Sequence, residues 1–309
     1  MNYNSLLKKY ICYVCSIIWI ILCVKKFNFQ VIFKIKNNFL ELRMLKIMTI
    51  LCMFISVSSF SQKTKSDTLV QKKKSKLPLY YPQNVFFWDA QTVVTPSGWG
   101  ASNNTIFAGV TYVPDQVYAE GASDGSAVIG VGLGNPFRNV GFEYSARMND
   151  ISTQGEYSHF LKLHKYLGKG TSLAVGGMHL LPAPTTDGIS SFYVALSHAL
   201  QIRSSVPGSS LLNINIGYGD GRFANKSPRD ILEGKGSKGT GVFGSLAYNM
   251  FLNHSLIVEW SGINLHVAVN SRPFKRIPFF LKASLVDLTS YSGDGARLMV
   301  SGFFTYTIK

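Results

Sequence analysis

The sequence predicts an all-β protein, a transmembrane antiparallel β-barrel of about twelve strands, on three observations. From Thr105 onward, runs of roughly eight to twelve residues recur between clusters of Gly, Asn, Asp, Ser and Pro, with no helical stretch among them. Within the runs, apolar and small polar residues alternate with the period of a strand. The polar face is largely Gly, Ser, Asn and Ala, where a soluble sandwich or a lipocalin-like barrel would turn Lys, Glu and Asp to water. Such a wall meets lipid with its apolar face and encloses a lumen with its small polar one.

Two apolar runs precede that region. Residues 44–61 read as a signal peptide: Met44-Leu45-Lys46, an apolar core from Ile47 to Phe60, and small residues around Ser59-Phe60-Ser61. Residues 1–43 then read as an upstream extension, with translation beginning at Met44; a signal anchor over Ile11 to Val24 is the alternative. Residues 62–76 are polar and basic, a disordered linker.

The formal charge of +15 divides unevenly, as +7 over residues 1–62, +5 over 63–76 and only +3 from Leu77 onward. The basicity belongs to the leader and linker, which argues against a nucleic-acid partner. All four cysteines precede residue 63, so the expected mature chain has no disulfide scaffold, thiol nucleophile or cysteine-ligated metal.

Residues 77–104 carry Tyr80, Tyr81, Phe86, Phe87, Trp88 and Trp99 among Pro78, Pro82, Pro96 and Gly98. Those breakers exclude a helix and predict a lead-in along the periplasmic rim or a plug-like stretch inside the barrel mouth. Strands are expected at 105–113, 125–134, 140–149, 156–166, 171–181, 190–202, 211–219, 241–252, 254–260, 263–271, 279–287 and 297–308.

Strand three sets Val140, Phe142, Tyr144, Ala146 and Met148 against Gly141, Glu143, Ser145, Arg147 and Asn149. Strand seven sets Leu212, Ile214, Ile216 and Tyr218 against Asn213, Asn215, Gly217 and Gly219. In the last strand Leu298, Val300, Gly302, Phe304, Tyr306 and Ile308 share the apolar face. Connections alternate long and short, as the outer and inner loops of outer-membrane barrels do. The tight step at Ser261-Gly262 is the exception; one bent strand over 254–271 would make the count odd.

On this register the lumen-facing ionisable residues are Glu143, Arg147, Glu156, Lys162, Glu259, Lys282 and Arg297, with His266 nearby. Mixed charges on an inner wall either line an aqueous path or pair across a closed interior, because buried unpaired charge is expensive. Tyr112, Tyr144, Tyr157, Tyr218, Trp260, Phe279 and Tyr306 are candidates for the aromatic girdles that sit at lipid headgroups.

Catalytic and metal-binding readings are weak. The six histidines are scattered, no G-x-S-x-G occurs, and spacing pairs no nucleophile with a base. Asp220, Asp230 and Glu233 share one loop and Asp287 and Asp294 flank another, the ordinary setting of solvated carboxylates. Gly234 to Gly241 lacks the helix that a phosphate-binding loop requires and reads as a flexible basic loop. No catalytic residue, metal or cofactor is assigned.

The signal ending in Ser-x-x-Phe-Ser-Gln and the Gly-rich, cysteine-free barrel resemble outer-membrane barrels of the Bacteroidota type. Val258-Glu259-Trp260-Ser261-Gly262-Ile263-Asn264-Leu265-His266, then Arg272-Pro273, Pro278 and Leu285-Val286-Asp287-Leu288-Thr289, resemble the hairpins of YjbH-like exopolysaccharide-associated lipoproteins. That resemblance implies a role in surface polysaccharide. The residues themselves point to passive passage of a small polar solute; the alternatives are a non-conducting envelope barrel and, more remotely, an outer-membrane lipid hydrolase. The expected partners are outer-membrane lipid, lipopolysaccharide, the barrel-assembly machinery and a further envelope protein.

Overall fold

The computed structural model describes residues 92–119, 122–151, 156–184, 188–201, 211–251, 254–274 and 277–308. The expected signal peptide, upstream extension and linker lie outside them. Twelve strands make one closed antiparallel barrel in chain order, with β1 pairing both β2 and β12. They are β1 (Thr105–Val113), β2 (Asp124–Gly134), β3 (Gly141–Met148), β4 (Tyr157–Gly168), β5 (Thr171–Leu180), β6 (Ser191–Gln201), β7 (Leu211–Gly219), β8 (Val242–Phe251), β9 (His254–Trp260), β10 (Leu265–Ser271), β11 (Phe279–Val286) and β12 (Arg297–Thr307).

The doubtful hairpin is real: Trp260 pairs with Leu265 and His254 with Ser271, so β9 and β10 are separate strands. β10 starts at Leu265, later than its alternation predicts. The reason is local. Asn264 leaves the ladder and binds the β11–β12 loop with its side chain.

Closure leaves no strand edge, and the alternation then separates two environments. Ile106, Val110, Ile129, Leu163, Phe192, Ile216, Leu246, Val258 and Phe304 are exposed on the outer face, Ile129 at 66%. An apolar face with exposed large side chains on ten of the twelve strands is far larger than a water-soluble monomer leaves bare. A closed barrel satisfies its backbone internally, so it can present that face to hydrocarbon. The protein is therefore a membrane-spanning barrel of the bacterial outer-membrane kind.

The inner face is packed where rings meet glycines. Phe303 lies opposite Gly109, Phe107 opposite Gly130 and Phe243 opposite Gly217. A Cβ at any of these glycines would come within 2.3 Å of the facing ring. Glycine thus lets an aromatic ring lie flat against the neighbouring strand inside a narrow lumen. Tyr193, Phe223, Phe243 and Met178 form the larger apolar cluster on that face.

Candidate functional site in the barrel interior

Residues 92–103 cross the inner wall before entering β1, held strand by strand. Lys282 on β11 donates to the Thr92 carbonyl at 2.8 Å. The Glu259 carboxylate on β9 accepts from the N–H groups of Val93 (2.6 Å), Val94 (2.7 Å) and Thr95 (3.2 Å), and from the Thr95 hydroxyl (2.9 Å). Asn215 on β7 donates to the Pro96 carbonyl, Ser197 on β6 accepts from Gly98 N–H, and Ser172 on β5 donates to the Gly98 carbonyl. Lys162 on β4 donates to the Trp99 carbonyl, and Glu143 on β3 accepts from Ala101 N–H at 2.6 Å.

An extended segment has no ladder of its own, so the wall's polar side chains supply its hydrogen bonds. The fit is close as well as polar. A Cβ on Gly98 would sit 2.3 Å from the Ser172 carbonyl oxygen, and one on Gly132 would sit 2.1 Å from the Ala101 backbone.

The lumen also holds a cavity of about 590 Å³ beside this segment. Arg147, Arg222, Arg297 and Lys282 line it together with Asp124, Glu143 and Asp287. Arg147 lies over the Phe160 ring at 5.1 Å, Arg222 comes within 3.4 Å of His179 Nε2, and Arg297 is paired with Asp287. Both signs of charge face one polar space, much of it already engaged with neighbouring groups.

At the end of the barrel that carries the β1–β2, β7–β8 and β11–β12 connections, these three loops meet on one carboxylate. Asp230 belongs to a short helix α1 (Pro228–Leu232), capped by Ser227 in a reciprocal capping box. It is fully buried. Its oxygens accept from Tyr118 of the β1–β2 loop, from Ser292 Oγ at 2.6 Å and from Gly293 N–H at 2.7 Å, both of the β11–β12 loop. Burial alone would raise the Asp230 pKa, but the bonds from Ser292, Tyr118, Ser227 and Gly293 outweigh it and hold the carboxyl well below the usual range.

Tyr118 is pushed up by its burial and by the bond to Asp230, so it keeps the proton it donates. Lys235 is raised chiefly by its bond to the Tyr118 oxygen. Its ammonium stands 4.8 Å from the Tyr118 ring centroid, and Lys235 also donates to the Gly293 carbonyl. The segment expected to be a flexible basic loop is therefore tied down through Lys235. Asn264 holds the β11–β12 loop from below, donating to Asp287 and Ser292 and accepting from Tyr291 and Thr289.

The register places Glu143, Arg147, Lys162, Glu259, His266, Lys282 and Arg297 on the inner face, and Glu156 just before β4. It does not give them one role. Glu143, Lys162, Glu259 and Lys282 hold the inner segment, and Glu143, Lys162 and Lys282 also line the cavity beside Arg147 and Arg297. His266 Nδ1 accepts from Asp287 N–H and so anchors a loop.

Tyr112, Tyr157, Tyr218 and Trp260 stand on the outer face at the clasped-loop end, and Phe279 and Tyr306 at the other. Tyr144 lies within the wall, its hydroxyl 2.9 Å from His159 Nδ1. The loop carboxylates singled out in the sequence have internal partners: Asp220 accepts from Phe192 N–H, Asp294 from Tyr118 N–H, and Glu233 pairs with Arg229 and Lys235.

Sequence spacing missed Asp230 as a hub, and it also missed a serine–histidine contact. Ser158 Oγ lies 3.2 Å from His179 Nδ1. Ser158 is fully buried and donates to Asn149, and the other His179 nitrogen faces Arg222 instead of a carboxylate. Without access for a substrate or an acid to orient the base, the pair lacks the elements of a hydrolytic site.

No family model and no curated protein matches the sequence. Among solved structures, the chain is similar to the KdgM porin at 9% identity and a TM-score of 0.39, over 65% of this chain and 99% of that one. It is similar to an outer-membrane channel from Pseudomonas putida F1 at 11% identity and a TM-score of 0.39, over 71% and 98%. A bacterial polysaccharide outer-membrane secretin matches at 10% identity and a TM-score of 0.33, over 67% and 99%.

Proposed function

We propose that this protein is an outer-membrane channel for a small polar solute, with a lumen narrowed by its own residues 92–101. The observation that carries the reading is the cavity of about 590 Å³ inside the barrel, lined by charges of both signs. That is room for a molecule of sugar or amino-acid size. The girdle aromatics Tyr112, Tyr157, Tyr218, Trp260, Phe279 and Tyr306 anchor the wall at the two lipid interfaces in this reading.

Proteoliposome swelling in neutral sugars of graded size tests it, using protein that shows heat-modifiable migration on a gel. Swelling with the smallest sugars and a sharp loss with larger ones is the expected result. A folded barrel that admits none of them sinks the channel reading.

A second reading is a non-conducting envelope barrel, the role that the resemblance to exopolysaccharide-associated proteins also implies. It is favoured by one observation, that the inner segment and the Asp230 loop contacts both occupy the path through the barrel. Absence of swelling even after the inner segment has been loosened would select it.

A further inference from the structure

The β7 and β8 strands stand six places around the barrel from β1 and β2, on the opposite wall. Twelve strands about 4.8 Å apart and tilted about 40° close to a cylinder roughly 24 Å across. Yet Asp230, in the β7–β8 loop, is bonded to Tyr118 above β1 and β2 and to Ser292 and Gly293 above β11 and β12. The β7–β8 and β1–β2 loops, rooted on opposite walls, therefore meet over the mouth, and the β11–β12 loop, rooted between them, joins the same contact.

The crossing is built as a joint. The hub carboxylate is fully buried, and α1 is capped so that its first turn presents Asp230 toward the other two loops. Lys235 reinforces the same contact from within the loop by binding both Tyr118 and Gly293. By contrast, the loop's root continues the wall: Gly219 N–H donates to the Gly241 carbonyl, Gly239 N–H to Ala224 and Lys226 N–H to Ser237, and Thr240 N–H ties it to Gly262 of the next turn. Rupture at the Asp230 end leaves the root intact, so the loop is attached like a strap with a fixed end and a fastened end.

We propose that the β7–β8 loop is a gate over the lumen, fastened shut by Asp230 on Tyr118, Ser292 and Gly293. This rests on the channel reading and adds where the path is closed. In the closed state the gate limits flow, and solute enters when the loop swings from its root. Asp230→Asn keeps the shape but removes the charge that makes the bonds strong, and should raise the open fraction and mean conductance severalfold in planar bilayers.

A disulfide gives an independent handle. Ser292 Oγ and Asp230 Oδ2 are 2.6 Å apart, and residues 63–309 contain no cysteine that would compete with a Ser292→Cys/Asp230→Cys pair. Oxidised, that variant should conduct as the wild type does; reduced, it should resemble Asp230→Asn, and reoxidation should restore the low state. The same preparation is read in both states, which removes folding as an explanation. Equal conductance in the oxidised and reduced states, with wild-type steps present, overturns the gate and leaves the channel standing. A folded protein without steps in any state overturns both.

Discussion

The interior of this barrel is occupied at two places, and each is organised around a buried carboxylate. Glu259 accepts four hydrogen bonds from Val93, Val94 and Thr95, and Asp230 accepts from Tyr118, Ser227, Ser292 and Gly293. The difference lies in how the load is shared. Glu259 is one of seven side chains on seven strands that hold a continuous segment, from Lys282 to Glu143. Asp230 is the centre on which three separate loops converge. The inner segment should therefore resist the loss of any one anchor, whereas the loop contact should depend on its hub.

The largest effect that sharpens this contrast comes from displacing the segment as a whole. Gly98→Val places side-chain atoms against the Ser172 carbonyl and Ser197 N–H, backbone groups that cannot yield without disturbing the β5–β6 ladder. The segment should leave the wall, and unitary conductance should rise above that of the wild type. An unchanged conductance would mean that residues 92–101 do not set the width of the path.

Glu259→Gln should be milder. It replaces one accepting oxygen by an amide NH2 that cannot accept, so two of the four bonds are lost, and neighbouring anchors keep the segment in place. The expected readout is a lower temperature for the heat-modifiable gel shift with little change in conductance. A conductance increase matching Gly98→Val would show that this one carboxylate carries the segment.

Acidification distinguishes the hub by its titration. The Asp230 carboxyl is held below its ordinary range, so its contribution is complete above about pH 4, the unfolded value, and is lost only as pH falls below that. Open fraction should be flat between about pH 5 and pH 8 and rise in stronger acid. A titration near neutrality would assign the gate to another group. The smallest effect is expected at Arg229, whose exposed side chain pairs with Glu233 and lies 5.5 Å from the Tyr118 ring centroid. Arg229→Ala should be indistinguishable from wild type in bilayer recordings, because exposed pairs contribute little.

The same contrast explains what could be read from the chain. All twelve strands were legible because alternation is local: Leu212, Ile214 and Ile216 against Asn213 and Asn215 needs no knowledge of neighbours. The inward position of Glu143 or Lys282 followed from that parity. Their attachment to Ala101 and Thr92 did not, since it joins residues 42 and 190 positions apart.

The path of residues 92–101 was equally hidden. Val93 to Trp99 contains Pro96 and Gly98, and its bonding partners lie on five distant strands, so no periodic signal marks it. Asp230 sits in a stretch whose glycines and lysines suggest only flexibility, and its partners are 112, 62 and 63 residues away. Only Ser227 three residues before Asp230 was a local clue, a capping pattern that announces a helix start.

The measurement that bears most directly on the central claim is a paired single-channel recording of the protein expressed from Met44, wild type beside Gly98→Val, each confirmed as folded by its gel shift. A membrane channel narrowed by its own inner segment predicts discrete steps from both, larger in the variant. Silence from both folded proteins would contradict a conducting lumen, and steps of equal size would contradict the inner segment as its constriction.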